Sequence, residues 1–446
     1  MKVYWSLLFL IGTLGCELPK HSHKLADVPA PSIFWVLPFV FLLLAIAVLP
    51  LVLPEFWEKN RNKAVVSFLA ALPVLVYYLV VAPQEIPYHL EEYVGFITLL
   101  FSLYTISGGI VLEGNLIASP LTNTIFLAIG ALIANIFGTT GAAMLLIRPL
   151  LKSNMDRKYK THTVIFFTFM VANIGGSLTP LGDPPLYMGY LHGIPFSWTL
   201  GLWPEWLFAN SVLLTIYYLW DRRMWAKEPE YRKHIDELAK EPLRLKGIVN
   251  LVLIAGIMLV IIAGLEFPYR ELVMLVLAVA SMLATPKKYR EANFFNFDAI
   301  IEVAVLFLGI FITMIPALIL LEQKGGELGV TKPWQYFWAT GLLSSFLDNT
   351  PTYLNFASLA EGAFHTTLDQ IIHHPQGAMV IRAISIGAVF MGANTYIGNG
   401  PNFMIKAIAE SKGPTRVQMP SFFGYMKYSL GILIPLFVVI TLLFFY

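Results

Sequence analysis

Apolar runs of roughly 20 residues, enough for a helix to cross a hydrocarbon layer about 30 Å thick, recur throughout this chain. They fall at about 33–53, 63–82, 93–112, 163–190, 199–220, 247–264, 270–284, 299–321, 378–407 and 424–446. Two further apolar stretches, 121–147 and 333–363, are interrupted by polar residues near their centres. Irregular backbone at membrane depth is tolerated only where protein or a cavity surrounds it, so these two fit re-entrant hairpins better than single crossings. The sequence therefore predicts an all-α polytopic membrane protein with about ten transmembrane helices plus two re-entrant hairpins. Composition agrees, since only 13% of residues are charged where a soluble domain has about 25%.

Short cytoplasmic loops collect Lys and Arg. If both hairpins return to the side they came from, the inside loops are 54–63, 148–160, 221–246, 285–290 and 405–416, and they hold 22 of the 30 basic residues. The outside segments 17–32, 83–92, 265–271, 322–333 and 361–376 hold 5. The basic residues are thus topology signals, and the net charge of +2 gives no reason to expect a nucleic-acid partner. The one cysteine, Cys16, excludes an internal disulfide framework and a multi-cysteine metal site. It ends a Lys-started apolar stretch that reads as a signal peptide or as a short uncleaved segment. The residues after it, up to about 32, are expected outside.

"TPLGDPPLYM" (Thr179–Met188) aligns without gaps to "TYIGNGPNFM" (Thr395–Met404). Each is preceded by a broken apolar stretch, "NIFGTTGAAML" (Asn135–Leu145) and "FLDNTPTYLNF" (Phe346–Phe356). By the topology above, the first hairpin enters from inside and the second from outside. Inverted repeats with discontinuous helices at matching positions point to a secondary transporter with its site near the midplane. The expected organisation is an N-terminal leader and external linker (1–32), scaffold helices (33–92), a first inverted repeat (93–220), a cytoplasmic linker (221–246), further scaffold helices (247–284) and a second inverted repeat (299–446).

Within each break the chemistry follows from the residue types. An incoming half-helix over 163–176 should end at Gly175–Gly176, and Pro180 cannot continue a helix. Asp183 then restarts one as N-cap, with Pro184 and Pro185 in the first turn; Asn399, Gly400 and Pro401 repeat the arrangement. Backbone oxygens left without helical partners need a cation, substrate or water. The polar groups available at the four tips are Asn135, Gly138, Thr139, Thr140, Asn173, Ser177, Thr179, Gly182, Asp183, Asp348, Asn349, Thr350, Thr352, Asn394, Thr395, Gly398, Asn399 and Asn402. Thr139, Thr179, Asp183, Asp348, Asn349 and Thr395 are the sodium candidates. A cap is worth ~1 kcal/mol, whereas a charged Asp at the bilayer centre costs ~2.5–3.5 kcal/mol. Capping alone does not explain the acids, and an intramembrane carboxylate reads as a cation or proton site. Hard monovalent cations favour oxygen ligands, by extension from calcium and magnesium; sodium fits, with lithium or potassium as alternatives.

These paired hairpins and the "TPLGDPP" and "TYIGNGP" breaks resemble the ion transporter superfamily, across about residues 33–446. The nearest branch is that of NhaD-type sodium/proton antiporters and bacterial citrate transporters, which carry "GGSLTPLGDPP" and "LDNTPTY" almost as written here. The resemblance implies a homodimer, a mobile transport domain, elevator-type alternating access and a bacterial inner membrane. In the dicarboxylate branch a Ser-Asn-Thr motif at both hairpin tips binds sodium and carboxylate. Here the tips read Phe137-Gly138-Thr139 and Asp348-Asn349-Thr350, a departure that disfavours carboxylate binding by that motif. Sodium/proton exchange is therefore the leading expectation, with cation-coupled transport of citrate or another carboxylate as the alternative. No cofactor is expected beyond the transported sodium and protons.

Elsewhere, Arg382 is expected to snorkel to the interface or to pair with Asp348, Glu361 or an anionic substrate. Asp298 and Glu302 read as interfacial, His192 as interfacial or else a proton relay, and His365, His373 and His374 as a solvated outer loop. An enzyme is not expected: there is no H-E-x-x-H motif and no histidine in the predicted broken cores. An ATP-driven pump is disfavoured because there is no G-x-x-x-x-G-K-[ST] loop.

Overall fold

Helices form along the apolar runs and stop where Gly and Pro cluster. The computed structural model describes residues 28–230 and 241–446; the expected leader and Cys16 lie outside the described residues. In chain order the longer helices are α1 (Leu37–Val52), α2 (Asn60–Val81), α3 (Glu85–Ser107), α4 (Pro120–Ser153), α5 (Thr161–Met170), α6 (Pro184–Leu191), α7 (Trp203–Ala226) and α8 (Val249–Ile262). They continue with α9 (Tyr269–Ala284), α10 (Asp298–Lys324), α11 (Pro333–Ser344), α12 (Asn349–Phe364), α13 (Pro375–Met391), α14 (Gly400–Glu410) and α15 (Phe422–Ile440). The chain is a helical, multi-pass membrane protein. By length and composition, six described segments are apolar enough to cross a bilayer, at Ile33–Pro50, Asn60–Val81, Pro120–Ser153, Asp298–Leu328, Pro375–Asn394 and Phe422–Phe445. The other expected runs are helical but short, broken or more polar: α8 and α9 are short, α5 and α6 share one broken run, α3 opens with Glu85, His89, Glu91 and Glu92, and α7 carries Glu205, Asp221, Arg222 and Arg223.

One element departs from the all-helical expectation. β1 (Val111–Asn115) pairs antiparallel with β2 (Glu241–Lys246), placing Val111 opposite Lys246 and Glu113 opposite Arg244. An isolated two-stranded ribbon is marginal in water. Here β1 packs on α4, and ion pairs Lys246–Glu113 (2.5 Å) and Lys152–Glu241 (3.1 Å) fasten its ends.

α4 is not a straight rod. Its 34 residues would span ~51 Å at 1.5 Å per residue, yet its two ends touch. Asn123 and Asn154 exchange amide hydrogen bonds at 2.9 and 3.0 Å, and the Leu116 amide donates to Ser153 Oγ. The reversal occurs at Gly138, whose φ of 73° lies in the left-handed region that side-chain-bearing residues avoid. α11 and α12 make a second hairpin around the turn Ser345–Asp348.

Arg157 fastens the open end of the first hairpin, donating to Ala118 O at 3.3 Å, and is itself held by Asp221, which is fully buried. Asp221 accepts from Arg157 Nη1 (2.9 Å) and Nη2 (2.5 Å), pairs with His162 Nε2 (2.8 Å) and accepts from Tyr217 Oη (3.2 Å). Burial pushes its carboxyl up, but the bonds from His162 and Arg157 outweigh that and hold it below the ordinary value. This stabilisation is therefore present above about pH 4 and lost as pH falls through the lowered value. Asp221→Ala strands a buried guanidinium and is expected to cost about 3–5 kcal/mol, measured as unfolding of the purified protein in detergent. Wild-type stability would contradict this role.

Contacts between distant segments sort by the predicted sides. Lys152–Glu241, Arg157–Asp221 and Lys63–Glu302 join segments expected inside. His192–Glu92 joins segments expected outside.

Candidate functional site

The helix breaks supply the site. α5 ends at Met170, earlier than the glycines suggested, because the backbone tightens into a 3-10 turn at Ile174–Gly176 before α6 begins. Gly176 and Gly182 then cross so closely that a Cβ on Gly182 would lie 2.0 Å from Gly176 O. Gly392 and Gly398 cross likewise, with a distance of 2.6 Å for a Cβ on Gly398. The same bonds lock both loops. Thr179 Oγ1 donates to Asn135 O at 2.5 Å and accepts from Gly182 N at 3.1 Å. Thr395 Oγ1 donates to Ser345 O at 2.5 Å and accepts from Gly398 N at 3.1 Å. Each threonine thus ties an unwound segment to the turn of a hairpin.

Asp183 sits where these four pieces meet. It occupies the N-cap position of α6 with extended backbone, yet its side chain caps nothing, which corrects the expectation of a capping carboxylate. Instead Oδ1 accepts from Thr139 Oγ1 (2.8 Å) and Asn399 Nδ2 (3.4 Å), and Oδ2 accepts from Asn349 Nδ2 (2.5 Å). Asp183 therefore joins both hairpin turns and the start of α14. The carboxylate is fully buried and, among the described residues, forms no ion pair with Lys, Arg or His. Each of its three partners donates a proton to it while keeping an oxygen of its own.

A family model described as "putative citrate transport" matches residues 29–445. The chain belongs to that family. Membership of the citrate-transport family places it among membrane transporters, in agreement with the branch its motifs resemble. No curated protein matches the chain.

The remaining candidates form shells around Asp183. Asn399 Nδ2 also reaches Asn173 Oδ1 (3.2 Å), and Asn173 Nδ2 donates to Asn402 Oδ1 (2.7 Å). Asn402 Nδ2 bonds the Gly392 and Thr395 carbonyls, and Asn394 Nδ2 reaches Ser345 Oγ. Asn135 Oδ1 accepts from the Leu178 amide. Ser177 and Thr352 bond only local carbonyls, and Thr350 Oγ1 reaches Asn349 Oδ1 at 3.5 Å. Asp348 does cap its helix, accepting from Thr350 N at 3.0 Å. Ser345 was missed by motif reading; its carbonyl takes the bond from Thr395 that the Asn135 carbonyl takes from Thr179.

Asp348, Thr139, Thr140 and Asn399 line one cavity of about 600 Å³. Its walls include Leu99, Leu103, Phe307 and Leu181, and towards the end expected inside it meets Glu58, Lys63 and Glu302. Lys63 is buried and paired with Glu302 at 2.7 Å. Arg382 takes no part: it holds Glu205 through Nε and Nη2 and donates to Gly201 O. It thus pairs with an acid, as one of the two expectations had it, but the partner is Glu205 and not Asp348 or Glu361. Among the described residues no group of three or more His, Cys, Asp or Glu side chains is arranged to hold a metal ion.

Proposed function

We propose that this transporter binds sodium, or lithium, at the Asp183 cluster and exchanges it for protons. The observation that carries the reading is the buried Asp183 carboxylate with three neutral donors and no cationic partner. Buried charges are paired or coordinate metals. A carboxylate offers about four lone-pair sites, so three donors leave room for one cation. Thr139 Oγ1, Asn349 Oδ1 and Asn399 Oδ1 are the nearest further oxygens, with Thr179 and Thr395 shaping the loops and Asp348 standing at the cavity wall. A proton and a sodium ion compete for the same carboxylate, which is what exchange requires.

A second reading is favoured by the family match and by a cavity far larger than a bare ion. Here citrate or another carboxylate travels with the cation. A free polyanion would meet Asp348, Glu58 and Glu302 along the wall, where the basic residue is Lys63, already paired. The carboxylate would therefore need to arrive as a cation complex.

The supporting architecture is an inverted repeat, 93–220 against 299–446, whose hairpins re-enter the membrane from opposite sides within about ten spans. The paired Thr179 and Thr395 contacts and the sorting of ion pairs by side support this arrangement. Homodimerisation, elevator motion between the scaffold helices (33–92 and 247–284) and the repeats, and a bacterial inner-membrane location are proposed from resemblance alone. Proteoliposomes with an internal pH dye, challenged with sodium, lithium or citrate, test the choice. Proton movement driven by sodium without citrate supports exchange, and sodium-dependent citrate uptake without that movement establishes the second reading.

A further inference from the structure

The half-helix α6 has Asp183 at one end and His192 as the C-cap at the other, ~14 Å away at 1.5 Å per residue. His192 Nε2 lies 2.8 Å from Glu92 Oε1 on α3, and Glu92 Oε2 lies 2.9 Å from His89 Nδ1. His89 Nε2 is 3.9 Å from Glu85 Oε2 one turn earlier. Glu85, His89 and Glu92 are all buried. The other ionisable groups that act on His192 are Glu361 on α12 and Glu322 on α10; Tyr88 on α3 bonds Glu92, and Asp369 lies beside Gly193. Carboxylates outnumber imidazoles in this cluster, which favours protonated histidine. Arg382 and Arg270 are engaged elsewhere, with Glu205 and Glu271.

We propose that His192, Glu92 and His89 form a second proton-binding site, separate from Asp183, whose proton ties the outer end of α6 to α3. The proton resides on His192 and leaves to solvent on the outer side; no bond other than N–H breaks. Burial pulls the His192 imidazole down, but the Glu92 carboxylate beside it prevails and pushes it up to about 9. The unfolded value is near 6.5. The tie is therefore complete below about pH 6.5 and is lost as pH rises through about 9. The link matters because α6 carries the cluster's buried acid, so releasing its outer end frees the helix that positions Asp183. This last step rests on the function proposed above, whereas the proton site itself does not.

The test is the melting temperature of the full chain in detergent, in sodium-free buffer, at pH 7 and pH 10. Wild type, His192→Gln and Glu92→Gln are compared. Both variants are expected to melt about 2–5 °C below wild type at pH 7 and to match it at pH 10. A gap of the same size at both pH values overturns the proposal, as does no gap at pH 7. If a variant fails to fold, the other decides the outcome by the same comparison. No cargo enters this measurement, so its result stands apart from that of the proteoliposome assay.

Discussion

Asp183→Asn is expected to reduce sodium-driven proton movement by about 100-fold or more, equivalent to ~2.7 kcal/mol, while leaving the protein folded. The side chains match in size, so packing around Thr139, Asn349 and Asn399 is kept. What goes is the charge, and with it the reason for a cation to enter a buried pocket; one acceptor also becomes an amide donor, which Asn349 can meet by turning its own Oδ1 towards it. Stability should move the other way. A buried carboxylate without a cationic partner is a liability, and neutralising it is expected to raise stability by roughly 1 kcal/mol, as at other strained functional sites. Loss of transport together with unchanged or higher melting temperature separates a binding acid from a structural one. A variant that melts well below wild type would show instead that Asp183 holds the four tips together as an anion.

Asp348→Asn is the second large effect, for a different reason. Asp348 caps α12 through Thr350 N and also lines the cavity. Asn caps nearly as well as Asp, so stability should change by less than about 0.5 kcal/mol. Exchange is expected to fall at least about 10-fold, or ~1.4 kcal/mol, because the acid on the path to Asp183 is gone. Asp348→Ala loses the cap as well and should cost about 1 kcal/mol in stability. Exchange by Asp348→Asn at the wild-type rate and sodium affinity would reduce Asp348 to a cap.

The helix breaks were legible because Pro and Gly act locally. Pro180 cannot continue a helix, Pro184 and Pro401 suit only a first turn, and the repeated T-x-x-G spacing marks the two crossing loops. Gly138 was legible as a tip residue, though its left-handed backbone was not. Long-range partners were hidden, since a side chain's choice among distant groups depends on packing. Asp183 stood in a capping position, yet its carboxylate turned to Thr139, Asn349 and Asn399, because the tips deliver better donors than its own helix does. Arg382 chose Glu205 likewise: Glu205 opens α7 within reach of the middle of α13, while Asp348 is held as the cap of α12. The β1–β2 ribbon joins segments more than a hundred residues apart, and strands of five and six residues carry too little alternation to be seen. His192 was singled out by itself and Glu92 not at all, and only the fold brings α3 against the end of α6.

In the proposed exchange a sodium ion and a proton share the Asp183 carboxylate. The most direct measurement is proton release on adding sodium to the purified, unbuffered protein near neutral pH, alongside radioactive sodium binding. Wild type is expected to bind sodium saturably and release protons, both unaffected by omitting citrate and both absent in Asp183→Asn. Sodium binding that survives Asp183→Asn, or that appears only with citrate present and releases no proton, would contradict it.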